Sequence, residues 1–135
     1  MAIILDADVV IRGEKGLFDV RTWLSTRGGD QFAIAAITVA ELWHGVERAS
    51  GRHRAARERY LRAFLSPLPI LPYTEQTAYE HAKLWAGLQT SGTMIGYYDL
   101  IVAATALERN DEVATFNTRH FRYAPGLKIV EPLLP

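Results

Sequence analysis

The chain has 135 residues, 49% of them apolar, enough for one domain with a sizeable core, and its fifteen Lys and Arg residues cancel its fifteen Asp and Glu residues. That balance excludes a whole-molecule field drawing the protein onto nucleic acid or an anionic membrane, so any such contact must come from a local patch. The absence of cysteine excludes disulfides, thiolate metal sites and thiol catalysis, and no segment reaches the roughly 18 to 20 apolar residues of a membrane helix or reads as a cleaved leader. The expectation is a single domain over 1–135, soluble, unexported and cytoplasmic.

In chain order, the apolar run 2–5 reads as a strand buried on two faces. Helical spacing follows at 17–27, and the turn signal Arg27-Gly28-Gly29-Asp30 leads into a second apolar run, 31–37, again a strand. Helices are expected at 39–49 and 52–65, then a short strand at 68–72, whose bounding prolines suit a sheet edge. A helix over 75–88 precedes one over 100–108 that is apolar nearly all round, as a helix enclosed by its own domain is. Strands at 112–116 and 127–130 complete the set, the latter entered through Pro125-Gly126. Strands alternating with helices predict an α/β domain whose mostly parallel sheet is covered on both faces.

Polar residues recur where the strands stop. Asp6 ends the first strand, Thr38-Val39-Ala40-Glu41 puts a carboxylate in the first turn of the next helix, Asp99 directly precedes the apolar helix, and Asn117 follows the strand at 112–116. Each has an ordinary structural account. Thr38 with Glu41 matches a capping box, Asp99 an N-cap, Asn117 a turn residue or cap, and Asp8 a cap on a short turn after the strand. Together they point elsewhere, because a parallel sheet lines up its strand-to-helix junctions along one carboxyl edge, where open α/β folds bind ligands. Carboxylates drawn together there raise one another's pKa values unless a cation neutralises them. Hard oxygen donors without cysteine favour Mg²⁺ or Mn²⁺ over zinc, and such ions in a carboxylate cup serve phosphoryl or phosphodiester transfer.

Four blocks carry a resemblance: Leu5-Asp6-Ala7-Asp8-Val9-Val10-Ile11, Ile37-Thr38-Val39-Ala40-Glu41-Leu42-Trp43-His44-Gly45, the stretch from Ile95 through Asp99 to Leu107, and Ala114-Thr115-Phe116-Asn117-Thr118-Arg119-His120-Phe121 with Pro125-Gly126-Leu127 after it. In this order, over nearly the whole chain, they resemble the PIN-domain ribonucleases, and among these the VapC toxins of toxin-antitoxin pairs. The resemblance implies a three-layer α/β/α sandwich that hydrolyses RNA (tRNA or rRNA among the candidates) with Mg²⁺ or Mn²⁺. It also implies a homodimer held inactive by a VapB-type antitoxin, and cleavage products with a 5′-phosphate and a 3′-hydroxyl. Carried over by position, Asp6, Glu41 and Asp99 match the metal-binding acids. Asn117 matches the fourth catalytic position, where many members carry aspartate and many toxins asparagine, and Thr115 a neighbouring hydroxyl. The chain departs at Ala7, where threonine or serine is common, and at Asp8, where asparagine is common. Asp8 then either lends the charge Asn117 lacks or only caps, and one metal or two remain open.

Rival readings stand beside this one. Asp6-Ala7-Asp8 after a strand also fits haloacid-dehalogenase-type phosphatases, which need a late acidic pair at a strand end, whereas Asp111-Glu112 opens a strand. The histidines at 44, 53, 81 and 120 lack obvious sequence partners for a metal-free acid-base pair. A degenerate PIN-like module that only binds RNA or a partner conflicts with three intact acids. Arg52, Arg54, Arg57, Arg59 and Arg62, opposed within their helix only by Glu58, form either a solvated face or a phosphate-contacting patch. Trp23, Trp43 and Trp85 are expected in packing, with Trp43, Tyr60 and Leu61 lining an apolar groove for an antitoxin helix.

Overall fold

The structure, a computed structural model, describes residues 1–134. In chain order it runs β1 (Ala2–Leu5), α1 (Ala7–Glu14), α2 (Val20–Thr26), β2 (Gln31–Ala35), α3 (Ala36–Arg48), α4 (Gly51–Leu65), β3 (Ile70–Leu71), α5 (Glu75–Ser91), α6 (Tyr97–Arg109), β4 (Glu112–Ala114), α7 (Thr118–Phe121) and β5 (Lys128–Val130). The strands form one sheet in the order β3-β2-β1-β4-β5, every adjacent pair parallel, with Ile4 of β1 opposite Ala33 of β2 and Val113 of β4. The α/β class and the parallel sheet stand as the sequence predicts.

Alternation along the central strands builds the three layers. Ile4, Ala33, Ala35 and Val113 point to one face, where α5, α6 and α7 cover them with Leu84, Leu88, Val102, Ala103, Ala106 and Phe121. Ile3, Leu5, Ile34 and Ala114 point to the other, covered by α1, α2, α3 and α4 through Val9, Val10, Trp23, Leu42, Val46 and Leu61. Seven consecutive residues of α6, Leu100 to Ala106, are buried, as its all-round apolar sequence requires.

Boundaries differ where local chemistry was ambiguous. The run 31–37 stops as a strand at Ala35, and α3 begins at once with Ala36, capped by no side chain. Thr38 is therefore the third residue of α3 and Glu41 the sixth, so the expected capping box does not form and Glu41 lies in the second turn. The short turn expected after β1 is the two-turn helix α1, hidden because Val9-Val10-Ile11 is β-branched and reads as strand; burial of Ala7, Val9 and Val10 overrides that propensity. The four-residue α7 was likewise too short to give a period. Both outer strands, β3 and β5, are short, which limits exposed edge.

At the amino edge, buried Asp111 ties the sheet together. Its Oδ1 accepts from Ala2 N at 2.8 Å and its Oδ2 from Arg109 Nε at 2.9 Å.

Candidate functional site

Parallel topology brings the expected residues together at the opposite edge. Asp6 follows β1 and is the N-cap of α1, its Oδ1 accepting from Ala7 N at 2.8 Å. Asn117 follows β4 and precedes α7. Because α6 feeds β4 at the amino edge, it must start at the carboxyl edge, and Asp99 sits in its first turn behind the N-cap Gly96. Asp99 is thus inside the helix and does not cap it. Glu41 reaches the same region from the second turn of α3.

Thr115 joins the two halves of this edge. Its hydroxyl donates to Asp6 Oδ2 at 2.8 Å, lies 3.3 Å from Asp8 Oδ2, and accepts from Asn117 N at 2.9 Å. Asp8 Oδ2 also accepts from Phe116 N at 3.1 Å, so Asp8 pins the β4–α7 loop across the sheet as well as lying in the first turn of α1. Asn117 Nδ2 donates to Asp99 Oδ2 at 3.5 Å and lies 3.0 Å from His120 Nδ1. The Asn117 side chain makes no helix cap.

Four carboxyl groups in one place leave an electrostatic signature. Burial first, then the charges of Asp8 and Asp99, push the Asp6 carboxyl up to about 8. Asp8 is raised chiefly by its own burial, against the Phe116 N–H and the Arg12 guanidinium. Glu41 is raised by burial, Asp99 and Asp8, and Asp99 by burial and Asp8, with His120 and Asn117 opposing. Repulsion of this kind is what a bound cation removes. Two of the buried oxygens, Asp8 Oδ1 and Glu41 Oε1, have no hydrogen-bond partner at all. Among the described residues no three acidic or histidine side chains are already closed into a metal-ligand cage. An all-oxygen donor set with excess negative charge and unsatisfied lone pairs nonetheless fits a hard divalent cation drawing the carboxylates inward.

Two contributors carried weak sequence signals. Arg12 stands four residues after Asp8 on α1, with its guanidinium 4.5 Å over the Phe116 ring, a spacing that favours an ion pair. His120, expected to lack a partner, meets Asn117 three residues earlier. His81 also has partners, accepting or donating to Tyr73 Oη at 2.8 Å and stacking on Trp85.

The other expectations resolve by position. Asp111 lies at the amino edge, opposite the carboxylates, and so supplies no late acidic pair to Asp6. On α4, Arg57 pairs with Glu14 at 3.4 Å and Arg54 with Glu47 at 3.0 Å, besides Arg62 with Glu58 at 3.4 Å. Glu14 and Glu47 come from α1 and α3, so the basic face is more neutralised than its own helix implied. Of the residues expected to line an apolar groove, Leu61 is buried in the core, and Trp43 and Tyr60 pack half-buried against the same cluster. Tyr60 stacks on Phe64 and donates to Val10 O at 3.2 Å, and the Arg62 guanidinium lies 4.8 Å over the Trp43 ring. Trp23 packs in the core, whereas Trp85 is exposed.

A parallel α/β/α sandwich with acidic residues gathered at its carboxyl edge defines a candidate carboxylate-metal site. The PIN domain profile matches residues 3–126, and the chain belongs to the PIN-domain family. A VapC ribonuclease of Sinorhizobium fredii is 33% identical, the match covering 98% of this chain and 99% of the relative. A second relative, Ribonuclease VapC of Rickettsia bellii, is 29% identical over 96% of each chain. Among solved structures, DNA-bound VapBC from Salmonella typhimurium superposes with a TM-score of 0.89 at 28% identity, covering 98% of this chain and 99% of its counterpart.

Proposed function

We propose that this chain is a divalent-metal-dependent ribonuclease, using Mg²⁺ or Mn²⁺, that hydrolyses RNA phosphodiester bonds as the toxin of a pair with a VapB-type antitoxin. The observation that carries this reading is the gathering of Asp6, Asp8, Glu41 and Asp99 at one sheet edge, two of them with buried oxygens lacking partners. Relatives named ribonucleases support RNA as substrate, and neighbours solved as VapBC complexes support an antitoxin partner. By the same resemblance it acts as a cytoplasmic homodimer of single-domain chains.

Asp6, Asp99 and Glu41 would hold the ion. When bound, such an ion neutralises charge on the scissile phosphate and makes water a stronger nucleophile at neutral pH. The chain's own groups supply the rest. Thr115 and the Ala7 N–H fix the Asp6 carboxylate, and Asn117 steadies Asp99. One of the carboxylates gathered at this edge would accept the proton of the attacking water. As the water oxygen bonds to phosphorus, the bond from phosphorus to O3′ breaks. The O3′ atom takes up a proton, leaving a 3′-hydroxyl and a 5′-phosphate.

The test is incubation of the purified protein with total cellular RNA in Mg²⁺, Mn²⁺ or EDTA, beside Asp99→Asn. Discrete cuts that need metal and fall at least a hundredfold in the variant are expected. Cuts that persist in EDTA, or undiminished cutting by Asp99→Asn, would remove this site from the chemistry; RNA retention without turnover would favour a binding module.

A further inference from the structure

Among the described residues three buried side-chain oxygens lack a hydrogen-bond partner: Asp8 Oδ1, Glu41 Oε1 and Thr38 Oγ1. The first two belong to the carboxylate cluster. Thr38 is fully buried, in the first turn of α3, three residues before Glu41. A buried hydroxyl well inside a helix has a ready partner in the carbonyl four residues back, as Thr105 shows by donating to Ile101 O at 2.8 Å. For Thr38, third in α3, the residue four back is Ile34 of β2, and its hydroxyl makes no such bond. Valine would fill the same volume without leaving a polar atom unsatisfied, so packing alone does not account for a threonine here.

The three acids expected to hold the ion are also supported unequally. Asp6 accepts from Thr115 and Ala7, and Asp99 from Asn117, but Glu41 accepts from nothing. Ligating carboxylates in metal sites are ordinarily oriented by such outer hydrogen bonds. Residues three apart on a helix are neighbours, with Cβ atoms about 5–6 Å apart. An orphaned donor and an orphaned acceptor therefore stand one turn apart on α3. At the start of α2, also three residues apart, the Thr22 hydroxyl bonds to Oδ2 of the N-cap Asp19 at 2.7 Å, a contact of the same two group types.

We propose that Thr38 is a positioning residue for Glu41: its hydroxyl donates to one Glu41 carboxylate oxygen when the site takes up its cation, leaving the other oxygen to face the ion. This rests on the metal-dependent reading of the site given above. The hydroxyl acts through Glu41 alone, without touching the ion or the RNA.

Calorimetric titration of Mn²⁺ into the full-length protein, with no RNA present, tests the pairing. Thr38→Val is expected to weaken Mn²⁺ binding about tenfold while melting in EDTA no lower than the unsubstituted protein. Thr38→Ser, which keeps the hydroxyl and loses the methyl, is expected to bind within about threefold of it on the same grounds. In a Glu41→Gln background, Thr38→Val should add nothing further, the mark of two groups acting as one. Unchanged Mn²⁺ affinity in Thr38→Val overturns the pairing, as does equal weakening in Thr38→Ser or a loss that persists beside Glu41→Gln. If the unsubstituted protein binds no Mn²⁺, the metal reading itself falls and the pairing with it.

Discussion

Two buried aspartates illustrate opposite uses of the same residue. Asp111, 6% exposed, accepts from a backbone amide and a guanidinium, whereas Asp6, 4% exposed, is crowded by Asp8 and Asp99. Removing Asp111 strands Ala2 N and Arg109, so Asp111→Ala should lower stability by about 2 kcal/mol, the worth of hydrogen bonds to a charged group. Removing the charge at position 6 relieves repulsion, so Asp6→Asn should leave the metal-free protein as stable as before or more so while abolishing metal-dependent cleavage. Urea denaturation in EDTA at pH 8, beside an RNA cleavage assay, separates the two. Marked destabilisation by Asp6→Asn would mean that the aspartate serves the fold and not the chemistry. At this scale the sequence was informative about identities and less so about contacts. Asp6, Glu41 and Asn117 each stand near a strand end in the chain and Asp99 at a helix start, but that Thr115 bridges Asp6 and Asp8 depends on two strands meeting across more than a hundred residues, and nothing local encodes it.

Elements were legible where a period or a cap was long enough to read. The helix from Glu75 is legible from its helical spacing; in the structure Thr74 and Thr77 cap its start reciprocally, and it closes at Gly92 in a left-handed turn, φ 72°, which glycine adopts without strain. Short elements escaped: α1 has eight residues with a β-branched middle, and at the β2–α3 junction the chain passes from strand to helix with no intervening loop. That junction also explains why Glu41 was assigned one turn too early, since apolar Ala36 and Ile37 suit either element. Helix α5 lies against α6, which carries Asp99, yet its cap is remote from the carboxylates. Thr74→Ala should therefore cost about 1 kcal/mol and lower the melting temperature by about 4 °C. Mn²⁺ affinity should stay the same. Loss of Mn²⁺ binding along with the cap would show that α6 is held in place by the α5 start.

Over the whole molecule the charges sum to zero, but their placement does not, and stability should depend on pH through the carboxyl edge. The folded pKa of Asp6 is raised to about 8, and those of Asp8, Glu41 and Asp99 are raised as well. For an acid raised on folding, the native state holds more protons than the unfolded chain between the two pKa values, so stability falls as pH rises. The contribution is fully present below about pH 4, the ordinary carboxylate range, and is lost as pH climbs through the folded value near 8 for Asp6. Metal reverses the sign: a cation that binds only the folded, ionised cluster stabilises it by mass action, releases the protons held there, and does so more strongly at higher pH. Thermal melting at pH 6 and pH 8, with EDTA or with millimolar Mn²⁺, should give a lower melting temperature at pH 8 in EDTA and the larger metal-induced rise at pH 8. Titrations in buffers of different ionisation enthalpy should register proton release on binding, and Asp6→Asn should diminish both the release and the pH dependence. Equal metal-induced shifts at the two pH values would mean that the carboxylates are already ionised without the cation, and that the repulsion among them is relieved by something other than a proton.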